Sequence, residues 1–108
     1  MKGIEFLGAS LKRVCEFPAL AKREAGHQLD RVQRGLDPTD WKPMKSVGQG
    51  VREIRIHFEG QYHVIYIASF EEKVYVLHAF EKKTQKTGKP DLEAAKRAYK
   101  QITERQRS

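Results

Sequence analysis

Cysteine is almost absent. The 108 residues contain one, Cys15, so no internal disulfide framework and no cysteine-rich zinc site is possible. Long apolar runs are missing too. No stretch approaches the ~20 apolar residues of a membrane span, and the opening residues Met1–Phe6 carry no apolar run of the secretory kind. A cytoplasmic protein that avoids the membrane is therefore expected. Acidic residues are scarce, with 14 Asp and Glu against 21 Lys and Arg, for a net charge of +7. The excess is uneven. Residues 82–108 carry nine basic and three acidic side chains, whereas residues 1–81 are close to balanced. A basic third of a small protein fits an anionic partner such as nucleic acid, or a solubilising surface.

What is present suits one globular domain over residues 1–108, with 39% hydrophobic and 32% charged residues. Ile4–Leu7 is short and apolar, as an opening strand would be. Ser10 followed by Leu11, Val14 and Cys15 reads as an N-cap and a short amphipathic helix whose apolar face includes Cys15. Pro18 starts a second helix, in which Ala25, Leu29, Val32 and Leu36 share a face, and Gly35 ends it. After the turn-rich segment 36–50 the period changes to two. Segments 51–58, 62–68 and 74–80 predict an antiparallel meander. Asp91 caps a last helix with Leu92, Ala95, Tyr99 and Ile102 on one side. The expected fold is α+β: an N-terminal helical hairpin on one face of a small, mainly antiparallel sheet, with a C-terminal helix.

A helix pair covers only one face of such a sheet, and the alternation puts charge on the other. Arg55 lies opposite Ile54 and Ile56, His63 interrupts an apolar strand, and Lys82 and Lys83 follow the third strand. Arginine and lysine can hold a phosphate, and histidine can carry a proton near neutral pH. Together they would suffice for RNA cleavage by acid–base and electrostatic catalysis. Each also has a structural reading. His63 and His78 fit hydrogen-bonded core histidines, His78 being in phase with Val74, Val76 and Phe80. Lys82, Lys83 and Lys86 fit a solvated charge run, and Tyr62 and Tyr66 fit base stacking or packing against a helix. His27, His57, His63 and His78 show no paired metal-ligand spacing, and Gly48-Gln49-Gly50 is not a dinucleotide fingerprint.

Several segments in order are similar to the RelE/HigB-type toxins of bacterial toxin–antitoxin systems, in particular a phage-derived HigB-like branch. They are Ala25-Gly26-His27-Gln28-Leu29, Asp40-Trp41-Lys42-Pro43-Met44-Lys45, Glu53-Ile54-Arg55-Ile56, Tyr62-His63-Val64-Ile65-Tyr66 and Leu77-His78-Ala79-Phe80-Glu81-Lys82-Lys83-Thr84-Gln85-Lys86-Thr87. The resemblance implies a RelE-like domain and a ribosome-dependent mRNA endoribonuclease. Such an enzyme cuts in the A site through metal-free attack of the ribose 2′-hydroxyl, with no cofactor. Its implied partners are the ribosome, mRNA and a cognate antitoxin, typically a helix-turn-helix DNA-binding protein. Carried over residue by residue, it implies Arg55 with Lys82 or Lys83 on the phosphate, His63 as acid or base, and Lys45, Lys86, Arg97 and Tyr62 on the RNA. Relatives often have arginine at the His63 position and sometimes a basic residue at Glu53. A carboxylate there repels phosphate unless it serves as a base or pairs with Arg55. Two other readings stand beside this one: a ParE-like topoisomerase poison on the same fold, and a non-catalytic nucleic-acid-binding or interaction module.

Overall fold

A computed structural model describes residues 1–83 and 85–107. The chain begins with a strand, β1 (Gly3–Phe6), followed by the helices α1 (Ser10–Cys15) and α2 (Ala19–Gln33). A three-residue strand β2 (Trp41–Pro43) precedes the meander β3 (Val51–His57), β4 (Gln61–Ile67) and β5 (Lys73–Glu81), and α3 (Lys89–Arg107) closes the chain. The five strands form one sheet in the order β1-β5-β4-β3-β2. Only β1 pairs in parallel, with Gly3 opposite Lys73. The fold is thus α+β with a mostly antiparallel sheet. The expected N-terminal helical hairpin does not open the fold, because β1 precedes the helices and pairs with β5 at the sheet edge.

Each face of the sheet has its own apolar core. On one face Val14, Phe17, Ala21, Ala25, Leu29 and Val32 of the helical segment pack on Ile54, Ile56, Val64 and Val74. On the other, Ala95, Ala98 and Ile102 of α3 pack on Val51, Ile65, Ile67 and Tyr75. The second face is therefore not open along its whole length. Gly48 secures α3: a Cβ built there would lie 2.3 Å from Cζ of Tyr99, so the tyrosine ring rests where only glycine leaves room.

Details of α1 and α2 differ from the expectation for geometric reasons. The first helix has six residues and turns toward β5 through Ser10 and Val14, which are buried. Cys15 is about 100° further round the helix and is exposed. Ser10 is not the N-cap, since Ala9 holds that place. Instead the Ser10 hydroxyl donates to the Val76 carbonyl at 3.3 Å. Pro18 occupies the N-cap position of α2. Leu36 lies past the helix end and is exposed.

A β-bulge in β5 has the largest effect on the site. Ile65 pairs with His78 but Tyr66 pairs with Val76, which leaves Leu77 as the extra residue. Val74 and Val76 face α1 and α2, and the extra residue reverses the phase beyond it. His78 and Phe80 consequently face the α3 side, and His78 is not in phase with Val74 and Val76 as the plain alternation predicts.

Candidate functional site

Helix α3 begins beside β5, where the Asp91 carboxylate meets His78 Nε2 at 2.8 Å. It ends at β1, where Arg105 donates to Glu5 at 2.7 Å. Two cross-strand rows lie beyond its N-terminus on the same sheet face. The first is Arg55, His63 and Phe80. In the second, His57 faces Gln61, whose carbonyl accepts the Lys82 backbone N–H at 2.7 Å. The bulge is what carries Lys82 onto this face.

His63 is sealed into the first row at 1% exposure. Its ring stacks on Phe80 with centroids 5.4 Å apart, and Phe80 in turn stacks on His78 at 5.7 Å. Glu53, fully buried, brings a carboxylate oxygen to 2.9 Å from His63 Nδ1. The approach is oblique. Neither carboxylate oxygen of Glu53 and neither ring nitrogen of His63 has a well-aligned hydrogen-bond partner among the described residues, so the pair is a close polar contact of poor geometry. Lys42 adds a charge 3.7 Å from Glu53 on the half-exposed rim. Burial pushes the Glu53 carboxyl up, but His63, Lys42 and Lys82 outweigh it and hold the group below its usual range. Glu53 therefore partners His63 and Lys42, and Arg55 has another anion.

That anion is Asp40, just before β2. Arg55 donates through Nε at 2.9 Å and Nη2 at 2.7 Å to Oδ1 of Asp40. The Arg55 backbone N–H donates to the Asp40 carbonyl at 2.9 Å. His57 Nε2 approaches the other carboxylate oxygen at 3.2 Å. Burial alone would raise the Asp40 carboxyl, but Arg55 and then His57 hold it below the usual carboxylate range. The carboxylate is thereby kept ionised beside two groups suited to phosphate and proton chemistry. The side chains of Arg55, Asp40 and His57 are 39%, 38% and 52% exposed, so the set is open to a ligand.

The profile of a phage-derived protein family, Gp49-like (DUF891), matches residues 12–100, from α1 into α3. The chain belongs to the Gp49-like family. This is a RelE/toxin-like family. No curated protein matches the chain.

The Gp49-like chain distributes its other expected site residues unevenly. Lys82 is half-exposed and Lys83 exposed, and with Gln61 and Gln85 they line a hollow of about 450 Å³. Lys86 is exposed in the following segment. Lys45 lies at the opposite end of β3, in a groove with Trp41, Pro43 and Arg52. Arg97 lines a third hollow with Arg13 of α1 and His78. Tyr62 is a correction. The alternation of β4 puts it on the helix-covered face, 6% exposed and 5.0 Å from the Phe17 ring, so its ring is not offered to a base. His63 likewise has no exposed nitrogen with which to meet a substrate. Of the residues gathered here, Gln61 and Asp40 are not singled out by the sequence, and His57 enters there only among the histidines without metal-ligand spacing. For His57 the signal was its place two residues after Arg55. Asp40 in a turn gave none.

Among the described residues no three His, Cys, Asp or Glu side chains converge as metal ligands. No described helix is long and apolar enough to cross a membrane.

Proposed function

We propose that this Gp49-like protein is the toxin of a toxin–antitoxin pair and cuts messenger RNA in the ribosomal A site. Its reaction is attack of a ribose 2′-hydroxyl on the adjacent phosphate. The observation that supports this most directly is the exposed end of the α3-side face. Arg55, His57, Gln61 and Lys82 stand together there on adjacent strands, beyond the reach of the helix. Arg55 retains free N–H donors beyond those given to Asp40, which suits a phosphate oxygen. Lys82 supplies a second charge, and two strand spacings of ~4.8 Å put it roughly 10 Å from His57 at the backbone. This span suits a sugar–phosphate linkage. The RelE/toxin-like character of the family supports the same reading. The expected partner is an antitoxin with a helix-turn-helix DNA-binding domain.

Primer extension on a reporter mRNA, with purified protein and with or without translating ribosomes, tests the reading. Cuts confined to translated codons, and lost in Arg55→Ala, are the expected result. Salt-sensitive RNA retention without new ends would instead select a non-catalytic binding module. DNA damage without RNA cuts would select a topoisomerase poison.

A further inference from the structure

His63 was the expected proton carrier, yet it is closed to solvent, while His57, two residues after Arg55 in the adjacent strand row, is open. His57 also has a partner that settles its chemistry. An ionised carboxylate only accepts hydrogen bonds, so the nitrogen 3.2 Å from Asp40, Nε2, carries the hydrogen. The lone pair is then on Nδ1. Asp40 simultaneously takes two donors from Arg55 on its other oxygen. One carboxylate thus orients a base and a phosphate-binding guanidinium together, and Asp40 lies 15 residues before Arg55.

We propose that His57 is the catalytic base of RNA cleavage, with Asp40 as its positioning residue and Arg55 on the phosphate. This rests on the nuclease reading above. His57 Nδ1 takes the proton of the 2′-hydroxyl, and the 2′-oxygen forms a bond to phosphorus. The bond from phosphorus to the 5′-oxygen breaks, and that oxygen leaves with the electron pair and takes a proton from the Lys82 ammonium. The products are a 2′,3′-cyclic phosphate and a 5′-hydroxyl. Exchange with water restores both side chains.

The test is single-turnover cleavage of ribosome-bound mRNA across pH. The charged groups on His57 are Asp40 and Arg55; its cross-strand partner Gln61 is neutral, and the Lys82 ammonium follows Gln61 in the same row. The wild-type rate is expected to rise with pH, as general-base catalysis requires. His57→Ala should lower the rate about 10²-fold or more, lose that limb, and recover part of the rate with added imidazole. Asp40→Asn should weaken the reaction and move the limb, which a merely structural aspartate would not do. Thermal melts establish that both variants fold, as their exposed positions predict. Wild-type-like cutting by His57→Ala overturns the assignment alone. So does a slow variant that keeps the pH limb and ignores imidazole. Absence of cuts from the wild-type protein overturns the nuclease reading and this assignment together.

Discussion

Glu53 and His63 meet at 2.9 Å with side-chain exposures of 0% and 2%, a close polar contact without a well-aligned hydrogen bond among the described residues. Breaking such a pair by removing one member leaves a buried group unmatched, at about 3–5 kcal/mol. Replacing both members with apolar residues of similar size removes that penalty. Glu53→Ala is therefore expected to destabilise the fold by roughly 3 kcal/mol. The double variant Glu53→Leu, His63→Leu should recover most of the loss. Urea titrations of the two proteins measure both, and a double variant as weak as the single one would contradict the account.

The same pair sets an acid dependence. The Glu53 carboxyl is held below its ordinary value of 4.5, so its contribution to stability is complete above that value. The contribution is lost as pH falls through the lower value of the folded state. Glu53→Gln should flatten this part of the stability curve. Chemical denaturation at a series of acidic pH values reads the difference, and parallel curves for the two proteins would contradict it.

Gly48 and Tyr99 make a second testable contact. Gly48→Ala places a methyl group within 2.3 Å of the Tyr99 ring, so the ring must swing aside. Overpacking of this kind costs about 1–3 kcal/mol. Because the ring is the end of a side chain, a cost near the lower limit is expected. In a Tyr99→Ala background the cost should vanish, so a double-mutant cycle in thermal melts should show coupling. Additive losses would place the strain elsewhere.

Lys82 and Lys83 are adjacent in sequence but not equivalent in space. Lys82 continues the row of His57 and Gln61 and acts on Glu53, whereas Lys83 is one residue past that phase. Lys82→Ala is expected to slow mRNA cleavage by on the order of 10²-fold, with Lys83→Ala closer to wild type. Single-turnover rates on ribosome-bound mRNA separate them, and the reverse order would reassign the phosphate contact.

The local periodicities were readable because burial imposes them. Ala25, Leu29 and Val32 mark the buried side of α2, and the alternation through Ile54 and Ile56 marks β3. Arg55 was legible as a residue of the opposite face for the same reason. Features that depend on distant pairing were not. Val74 to Phe80 is apolar on both faces apart from His78, so nothing in the local pattern announces the change of phase at Leu77 that turns His78, Phe80 and Lys82 to the α3 side. Asp40 sits in a turn, where a carboxylate satisfies local geometry as readily as it clamps Arg55 and His57. The burial of His63 follows from Phe80 stacking on it across strands, which requires knowing the register.

Strand β1 pairs only with β5, so Gly3 waits for Lys73, and its Glu5 waits further still for Arg105. Contacts so distant in sequence form late, after the intervening chain exists. A nascent chain emerging from the ribosome accordingly carries neither its outer parallel strand nor the Lys82 corner until synthesis is nearly complete. The face proposed to meet RNA draws on Asp40 as well as on Arg55, His57 and Lys82, and a partly translated chain is expected to be inert toward the ribosome that is making it.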